Sequence, residues 1–524
     1  MKLKNPIFLA LVLFSISQLS VAQSGNSRNL KSGKQYFQLP PKVSKFDFLE
    51  KTVILKIKKE LRHYCSNDYV SIAPLQQLLS ALGASGIEKK FPQATPPERE
   101  KNKYGIKYAD LSLIYEFKYT ADISVEKVIN SVYSLDIVEY SEPHYVYQLL
   151  YTPNDPSIGL QWHIGKIKAY QAWDISKGDT NVVIGIIDTG TDIDHPDLVD
   201  QFKYNYSDPA DGSDNDTDGY TDNFRGWDLQ DNDNNPQVVG SDHGVHVAGD
   251  ASPSTDNGIG VAGAGFKCKL LPVRAGNTAI PFGYEGITYA ADHGADVINC
   301  SWGGPGGGQF GQDVIDYATI NKDALVVAAA GNDGLEDLFY PAGYNYVLNV
   351  ASTESNDTKS SFSNYGYAID VCAPGSSIYS TGDGGTYYYS DGTSMASPVA
   401  AGCAALIRSY YPTFDALQAG EQLKVTADNI YPLNNIAYKD KLGTGRVNLF
   451  AAVSGINGPS VVMTERNISD GNDQAFVVGD TLQISGVYTN FLAPTANITA
   501  TLRAFSANVN IIDSVSSLGV INAF

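Results

Sequence analysis

At 524 residues, 43% of them apolar, the chain has room for roughly three or four domains and a sizeable buried core. Its formal charge of −20, from 57 Asp+Glu against 37 Lys+Arg, argues against nucleic acid as a partner. The charge is also unevenly placed: residues 24–150 hold 18 Lys+Arg and 14 Asp+Glu, whereas residues 151–524 hold 17 and 43, so a basic segment precedes an acidic body.

The chain opens with Lys2 and Lys4, an apolar run from Ile7 to Leu19, and Ser20-Val21-Ala22, the pattern of a secretory signal peptide over residues 1–22. No later run is apolar for long enough to cross a bilayer, so the expectation is an exported, monomeric protein with no membrane span. From Gln23 to about Lys45 the sequence is polar and aperiodic, as in a flexible leader. Between Phe46 and Leu150, alternating runs (Val53–Ile57, Leu113–Phe117) flank helical stretches such as Ser124–Tyr133, which predicts a small α+β module.

Tyr151–Pro156 reads as a linker, after which the texture changes. Apolar, β-branched runs (Val182–Ile187, Cys268–Val273, Ala295–Asn299, Ala324–Ala330, Val347–Ala351, Ala368–Cys372) alternate with helical ones. Such runs are typical of a mostly parallel sheet buried on both faces, hence a three-layer α/β fold with its chemistry at the carboxyl ends of the strands. Arg446–Val453 is the expected last helix of this domain, and Gly458-Pro459 a boundary. Beyond it, Thr481–Ser485 and Ala496–Ala500 alternate with period two, predicting an incomplete β-sandwich-like domain over residues 458–524, cut short of the roughly 100 residues of a full sandwich. The five cysteines lie in apolar contexts without a framework of spacings and read as buried thiols.

Chemistry is expected first at Gly392-Thr393-Ser394-Met395-Ala396-Ser397-Pro398, a serine among small residues at the start of a buried helix, just before an alanine-rich apolar run ending at Tyr410-Tyr411-Pro412. Pro398 fits the first helical turn, where its missing amide costs nothing. The run Val182–Ile187 ends at Asp188-Thr189-Gly190, so a buried strand delivers a carboxylate, or simply ends in a turn. His243, in Asp242–Gly249, can serve as general base if an acid holds its other nitrogen. A zinc pair with His246 is disfavoured, because the spacing is i, i+3 with Gly and Val between, where zinc peptidases use i, i+4 with a glutamate. Asn332, after the strand Val326–Ala330, offers a side-chain amide to an oxyanion alongside the Ser394 backbone amide. Finally, Asp214, Asp216 and Asp218 alternate ahead of Gly219, with Asp222 beyond, as in a calcium loop. Arg225 at the twelfth position excludes a standard EF-hand, leaving Asp228 or Asp231 to close the shell; the alternative is a solvated acidic insert.

Acid, base and serine in the order Asp188, His243, Ser394, with Asn332 between base and serine, resemble the subtilisin-like serine peptidases. The resemblance spans residues 151–457 and includes His195-Pro196-Asp197-Leu198, Gln171–Ile175 and Lys359–Ser363, the last two as in thermitase-like members. It implies a secreted endopeptidase in which Ser394 attacks, His243 shuttles the proton, Asp188 orients His243 and Asn332 holds the oxyanion. It further implies that Ser301-Trp302-Gly303 pairs with the polypeptide substrate by strand addition. Ala329-Ala330-Gly331 would line the primary specificity pocket, with Phe339 at its floor, either shallowing it or turned away. Asp155, Asp197 and Asn257 match side-chain ligands of a structural calcium ion. Residues 23–150 resemble the family's propeptide, a partner that assists folding and inhibits; its basic charge suits the acidic body. Self-cleavage near Leu149-Leu150-Tyr151 would require a large apolar residue to be accepted before the scissile bond. The departures are Val245, Asp391 and Val399 beside the motifs, and a shortened Ala275–Glu285 stretch along the substrate groove. The reading of another class is an inactive relative serving as a binding module.

Overall fold

The computed structural model describes residues 28–29, 35–40, 43, 47–146, 151–455, 458–471, 476–504 and 508–523. The signal peptide, most of the polar leader and Leu149-Leu150 of the expected cleavage stretch lie outside them. The chain divides into two compact units, 1–149 and 150–524.

The first unit is built on a four-stranded antiparallel sheet in the order Glu88–Lys89, Ile114–Lys118, Phe48–Ile57, Val138–Tyr145. Along Phe48–Ile57 the fully buried Val53, Leu55 and Ile57 alternate with half-buried Ile54 and Lys56, the period of a strand with one face on a core. Helix Val125–Tyr133 meets that core through Val125, Val128, Ile129 and Val132, spaced on one helical stripe.

The second unit carries a seven-stranded parallel sheet. In chain order its strands are β1 (Val183–Asp188), β2 (Trp227–Asp228), β3 (Lys269–Arg274), β4 (Val297–Cys300), β5 (Leu325–Ala329), β6 (Val347–Thr353) and β7 (Val371–Pro374). Their spatial order is β7-β6-β5-β4-β1-β3-β2. Every residue of β1 is buried, because helices cover both faces of the sheet. On one face Ile287, Ala290 and Ile315, from helices Gly283–Asp292 and Gln309–Asp316, join Val183, Ile187, Val273 and Ile298 in one core. On the other, helix His243–Ala251 packs against helix Thr393–Tyr410, whose residues from Met395 to Ile407 are all buried. From β3 the chain crosses β1 to begin β4, so the carboxyl ends of β1 and β4 flank a topological switch point.

The six apolar runs all contain strands of this sheet, but β2 and the hairpin Ile378–Gly382/Thr386–Ser390 carry no such signal. The former is two residues long, and the latter is Tyr- and Gly-rich and packs on helix His243–Ala251 instead of extending the sheet. Beyond Gly458 the alternating runs form two antiparallel pairs, Val461–Ser469 with Gln483–Asn490 and Ile498–Thr501 with Val515–Gly519. These cluster with the α/β body, to which they are tied by Gln418 Nε2 donating to the Phe491 carbonyl at 3.0 Å. All five cysteines are free thiols, and Cys268, Cys300, Cys372 and Cys403 are buried. Among the described residues no helix is long and apolar enough to cross a membrane.

Candidate active site

Asp188 is the last residue of β1, and its side chain is 1% exposed. Its Oδ1 accepts from His243 Nδ1 at 2.8 Å and from the Thr189 amide at 2.8 Å. A carboxylate only accepts, so the shared proton is placed on Nδ1, leaving Nε2 as the basic nitrogen of the neutral ring. The helix that starts at His243 is pinned to the turn after β1. Thr189 Oγ1 donates to the Ser241 carbonyl at 2.8 Å and accepts the Gly244 amide at 3.0 Å. Gly244 has to be glycine, since a Cβ there would run into the Gly190 carbonyl oxygen. Burial pulls the His243 pKa down, but the charge and hydrogen bond of Asp188, with Asp250 and Asp242 behind it, outweigh burial and raise it above the ordinary 6.5.

Ser394 is the second residue of helix Thr393–Tyr410. Its hydroxyl donates to the Ser301 carbonyl at 3.1 Å, so in this structure the serine rests on the β4 side of the site and not on His243. Pro398 differs from its expected place: it is the sixth helical residue, beyond the first turn. The missing proline amide frees the Ser394 carbonyl, which would otherwise take the i→i−4 bond, and Ser301 Oγ donates to that carbonyl at 2.8 Å. Asn299, buried in β4, completes the link by donating to Ser301 Oγ at 2.9 Å and accepting from Ser397 Oγ at 2.7 Å. The sequence reading overlooked Asn299 and Ser397; the only signal was a polar residue inside an apolar strand.

Asn332 follows β5. Its Oδ1 accepts from both the Thr393 amide (2.8 Å) and the Thr393 hydroxyl (2.9 Å), which leaves the side-chain NH2 as the group available to another acceptor. Thr393 Oγ1 in turn accepts the Gly331 amide at 3.2 Å, so the serine's helix start and the end of the β5 segment hold each other.

Two segments border this point. Ser301-Trp302-Gly303 continues β4, and Ala329-Ala330-Gly331 ends β5. Gly304 and Tyr340 exchange both backbone hydrogen bonds, at 2.9 and 2.7 Å, and so bring Phe339 alongside. Of the two expectations for Phe339, the structure places the half-buried ring against both Gly303 and Gly331. Trp302 donates to the Ile187 carbonyl at 2.9 Å and packs directly on Gly283, at the end of the short Ala275–Glu285 stretch. The departures do not enter the site. Val245 and Val399 are buried apolar packing, and Asp391 braces a loop by accepting the Ser377 amide at 2.8 Å.

Three carboxylate clusters differ in how their charge is met. Asp155 and Asp197 are 1% and 0% exposed, and among the described residues neither pairs with a cationic side chain. Asp197 accepts Asn257 Nδ2 at 2.9 Å and the Val261 amide at 2.8 Å, while Asp155 accepts the Asp256 amide at 2.8 Å. Burial raises both carboxyls, Asp197 to about 7, and each is further raised by a nearby acid. This donor set of hard oxygens with surplus negative charge fits a calcium ion.

The acidic loop departs from expectation. Asp208, Asp214 and Asp216 bring carboxylate oxygens within 4.8 Å of one another, and Asp216 Oδ1 is buried without a partner. Asp218 instead meets His293 Nε2 at 2.7 Å and Asn223 Nδ2 at 2.9 Å, and Asp222 caps the Asp211 and Gly212 amides at 2.9 Å. Left-handed turns at Thr217 and Asp222 (φ 60° at each) break the alternation that would have aimed all four side chains inward. Asp228 and Asp231 close no shell either, since both pair with Arg274.

Residues 179–451 match the Subtilase family. The chain is 42% identical over 308 residues to thermitase of Thermoactinomyces vulgaris, covering 58% of this chain and 99% of that protein. It is 38% identical over 337 residues to the thermophilic serine proteinase of Bacillus sp. (strain AK1), covering 63% and 76%. With subtilisin J of Geobacillus stearothermophilus it shares 32% over 391 residues, covering 71% and 93%. With these likenesses added to a parallel sheet that ends in an Asp–His pair beside a helix-start serine, the chain belongs to the subtilase family and is a serine-type endopeptidase.

Proposed function

We propose that Ser394, His243 and Asp188 are the nucleophile, general base and orienting acid of this peptidase. The observation that carries the reading is the 2.8 Å bond between His243 Nδ1 and the buried Asp188 carboxylate, which holds the ring as the Nε2-basic tautomer. Rotation about the Ser394 Cα–Cβ bond takes the hydroxyl from the Ser301 carbonyl to His243. The serine oxygen then bonds to the substrate carbonyl carbon as its proton passes to Nε2. Negative charge on the carbonyl oxygen is met by the Ser394 amide and the Asn332 side-chain NH2, whose orientation Thr393 supports. The vacated Ser301 carbonyl is free to accept a substrate N–H along the Ser301–Gly303 edge. The imidazolium, stabilised by Asp188, returns the proton to the leaving amine, and water, activated by His243, hydrolyses the acyl-enzyme. Labelling by a fluorophosphonate, abolished in Ser394→Ala, tests the assignment; undiminished labelling of that variant would overturn it.

The enzyme is made, in this reading, as an exported zymogen: a signal peptide over residues 1–22, a propeptide over 23–150, and self-cleavage near Leu149-Leu150-Tyr151. Calcium would be held by Asp155, Asp197 and Asn257, and by Asp208, Asp214 and Asp216 in the acidic loop. At both places the ion would neutralise carboxylates, and at the first it would also tie distant chain segments together, without entering the peptide-bond chemistry.

A further inference from the structure

We infer that Phe339 plugs the primary specificity pocket, so that this peptidase selects glycine, alanine or serine as the residue before the scissile bond. The inference rests on Ser394 being the nucleophile. It starts from the two segments that pass that residue. The Ser301 carbonyl takes the Ser394 hydroxyl, and the Gly331 amide donates to Thr393 Oγ1, so both segments touch the serine's own helix start. As the resemblance to the subtilases implies, a side chain on the residue whose carbonyl meets Ser394 lies between Ser301–Gly303 and Ala329–Gly331.

The space between these segments holds an aromatic ring. A Cβ built on Gly303 would stand 2.6 Å from Phe339 Cδ1 and 2.8 Å from Cε1. A Cβ built on Gly331 would stand 3.0 Å from Cγ and 3.2 Å from Cδ1 of the same ring. The ring therefore reaches from one wall to the other: a methyl on Gly303 would run into it, and one on Gly331, already excluded by Asn364 Nδ2, would press on it. Gly331 is doubly constrained, because its φ of +99° is itself a glycine conformation. The ring's backbone is pinned next door by the paired Gly304–Tyr340 hydrogen bonds, so it is not carried on a free loop. With Ala329 and Ala330 as the remaining apolar lining, the inferred plug favours a hydrogen, a methyl or a hydroxymethyl group ahead of the ring over Leu, Tyr or Phe. The proposed self-cleavage near Leu149-Leu150-Tyr151 would then present a disfavoured large residue, and tethering, with an effective concentration on the order of millimolar, offsets its weak binding.

The test compares kcat/KM for succinyl-Ala-Ala-Pro-Xaa-p-nitroanilide with Xaa = Ala and Xaa = Phe on the mature wild-type enzyme, Phe339→Gly and Phe339→Ala. Active enzyme is counted by fluorophosphonate titration. The expected result is a wild-type preference for Ala of about tenfold or more, inverted when the ring is removed. A wild-type preference for Phe overturns the inference whether or not the variants fold, and so does an Ala-to-Phe ratio unchanged in both titratable variants. Loss of all hydrolysis and of the fluorophosphonate label from wild type would instead sink the assignment of Ser394, and the two failures are thereby told apart.

Discussion

Two buried aspartate sites in the same α/β body handle their charge in opposite ways. Asp188 is buried beside His243, an ionisable partner supplied by the chain and poised to become a cation during the reaction. Asp155 and Asp197 are buried as deeply, with amides and Asn257 around them but, among the described residues, no cationic side chain. A buried carboxylate without a counter-charge costs several kcal/mol or takes up a proton. The contrast matches the two proposed roles, a first site that works by moving a proton and a second that a metal ion would complete.

The sharpest way to break the first half of the comparison is to remove the charge of Asp188. Asp188→Asn is expected to lower kcat about 10⁴-fold, through the wrong imidazole tautomer and an unsupported imidazolium. Asn332→Ala, which removes the proposed oxyanion donor along with its bonds to Thr393, should cost about 10² to 10³. Steady-state rates on one peptide substrate measure both, and equal losses would show that the two residues do not play separate parts.

The second half is tested by melting temperature with calcium and with excess EGTA. At calcium a hundred times its Kd the bound ion adds about 2.7 kcal/mol, so EGTA should lower the melting temperature on the order of 5 °C. The pH dependence has a definite sign. Burial lifts the Asp197 carboxyl from 3.8 to about 7, so the folded state binds the proton more tightly than the unfolded one. Without calcium, stability is lost as pH rises from about 4 to about 7. The EGTA effect should therefore grow across that window, and this growth should be largely absent in Asp197→Asn; a pH-independent difference in the wild type would place the ion elsewhere.

The smallest expected effect separates residues within the acidic loop. Asp208→Asn should weaken calcium binding measured by isothermal titration, whereas Asp218→Asn, which disturbs the contacts with His293 and Asn223, should leave it unchanged and cost about 1 kcal/mol or less. The reverse outcome would restore the simple alternating loop.

What was legible in the sequence depended on local periodicity. The apolar runs around β1 and β3 to β7 marked the sheet because strands buried on both faces have no polar side to present. The small-residue motifs at Asp188, His243 and Ser394 stood out because close backbone approach at Gly244 excludes every larger side chain. Trp227–Asp228 was not legible, since two residues have no period. Pro398 was assigned one turn too early, because its value lies in a bond between Ser301 and Ser394, 93 residues apart.

The sequence by itself determined the fold class, the order of the chemistry-bearing residues and the presence of an acidic loop, all of which reside in short motifs and in apolar periodicity. Only the tertiary structure decided which oxygen receives the resting serine hydroxyl, that Asp208 joins the loop cluster in place of Asp218 and Asp222, and that Phe339 lies against both Gly303 and Gly331. Each of these is a meeting of atoms from segments far apart in the chain. Such meetings follow from how strands and helices pack, which no local pattern records.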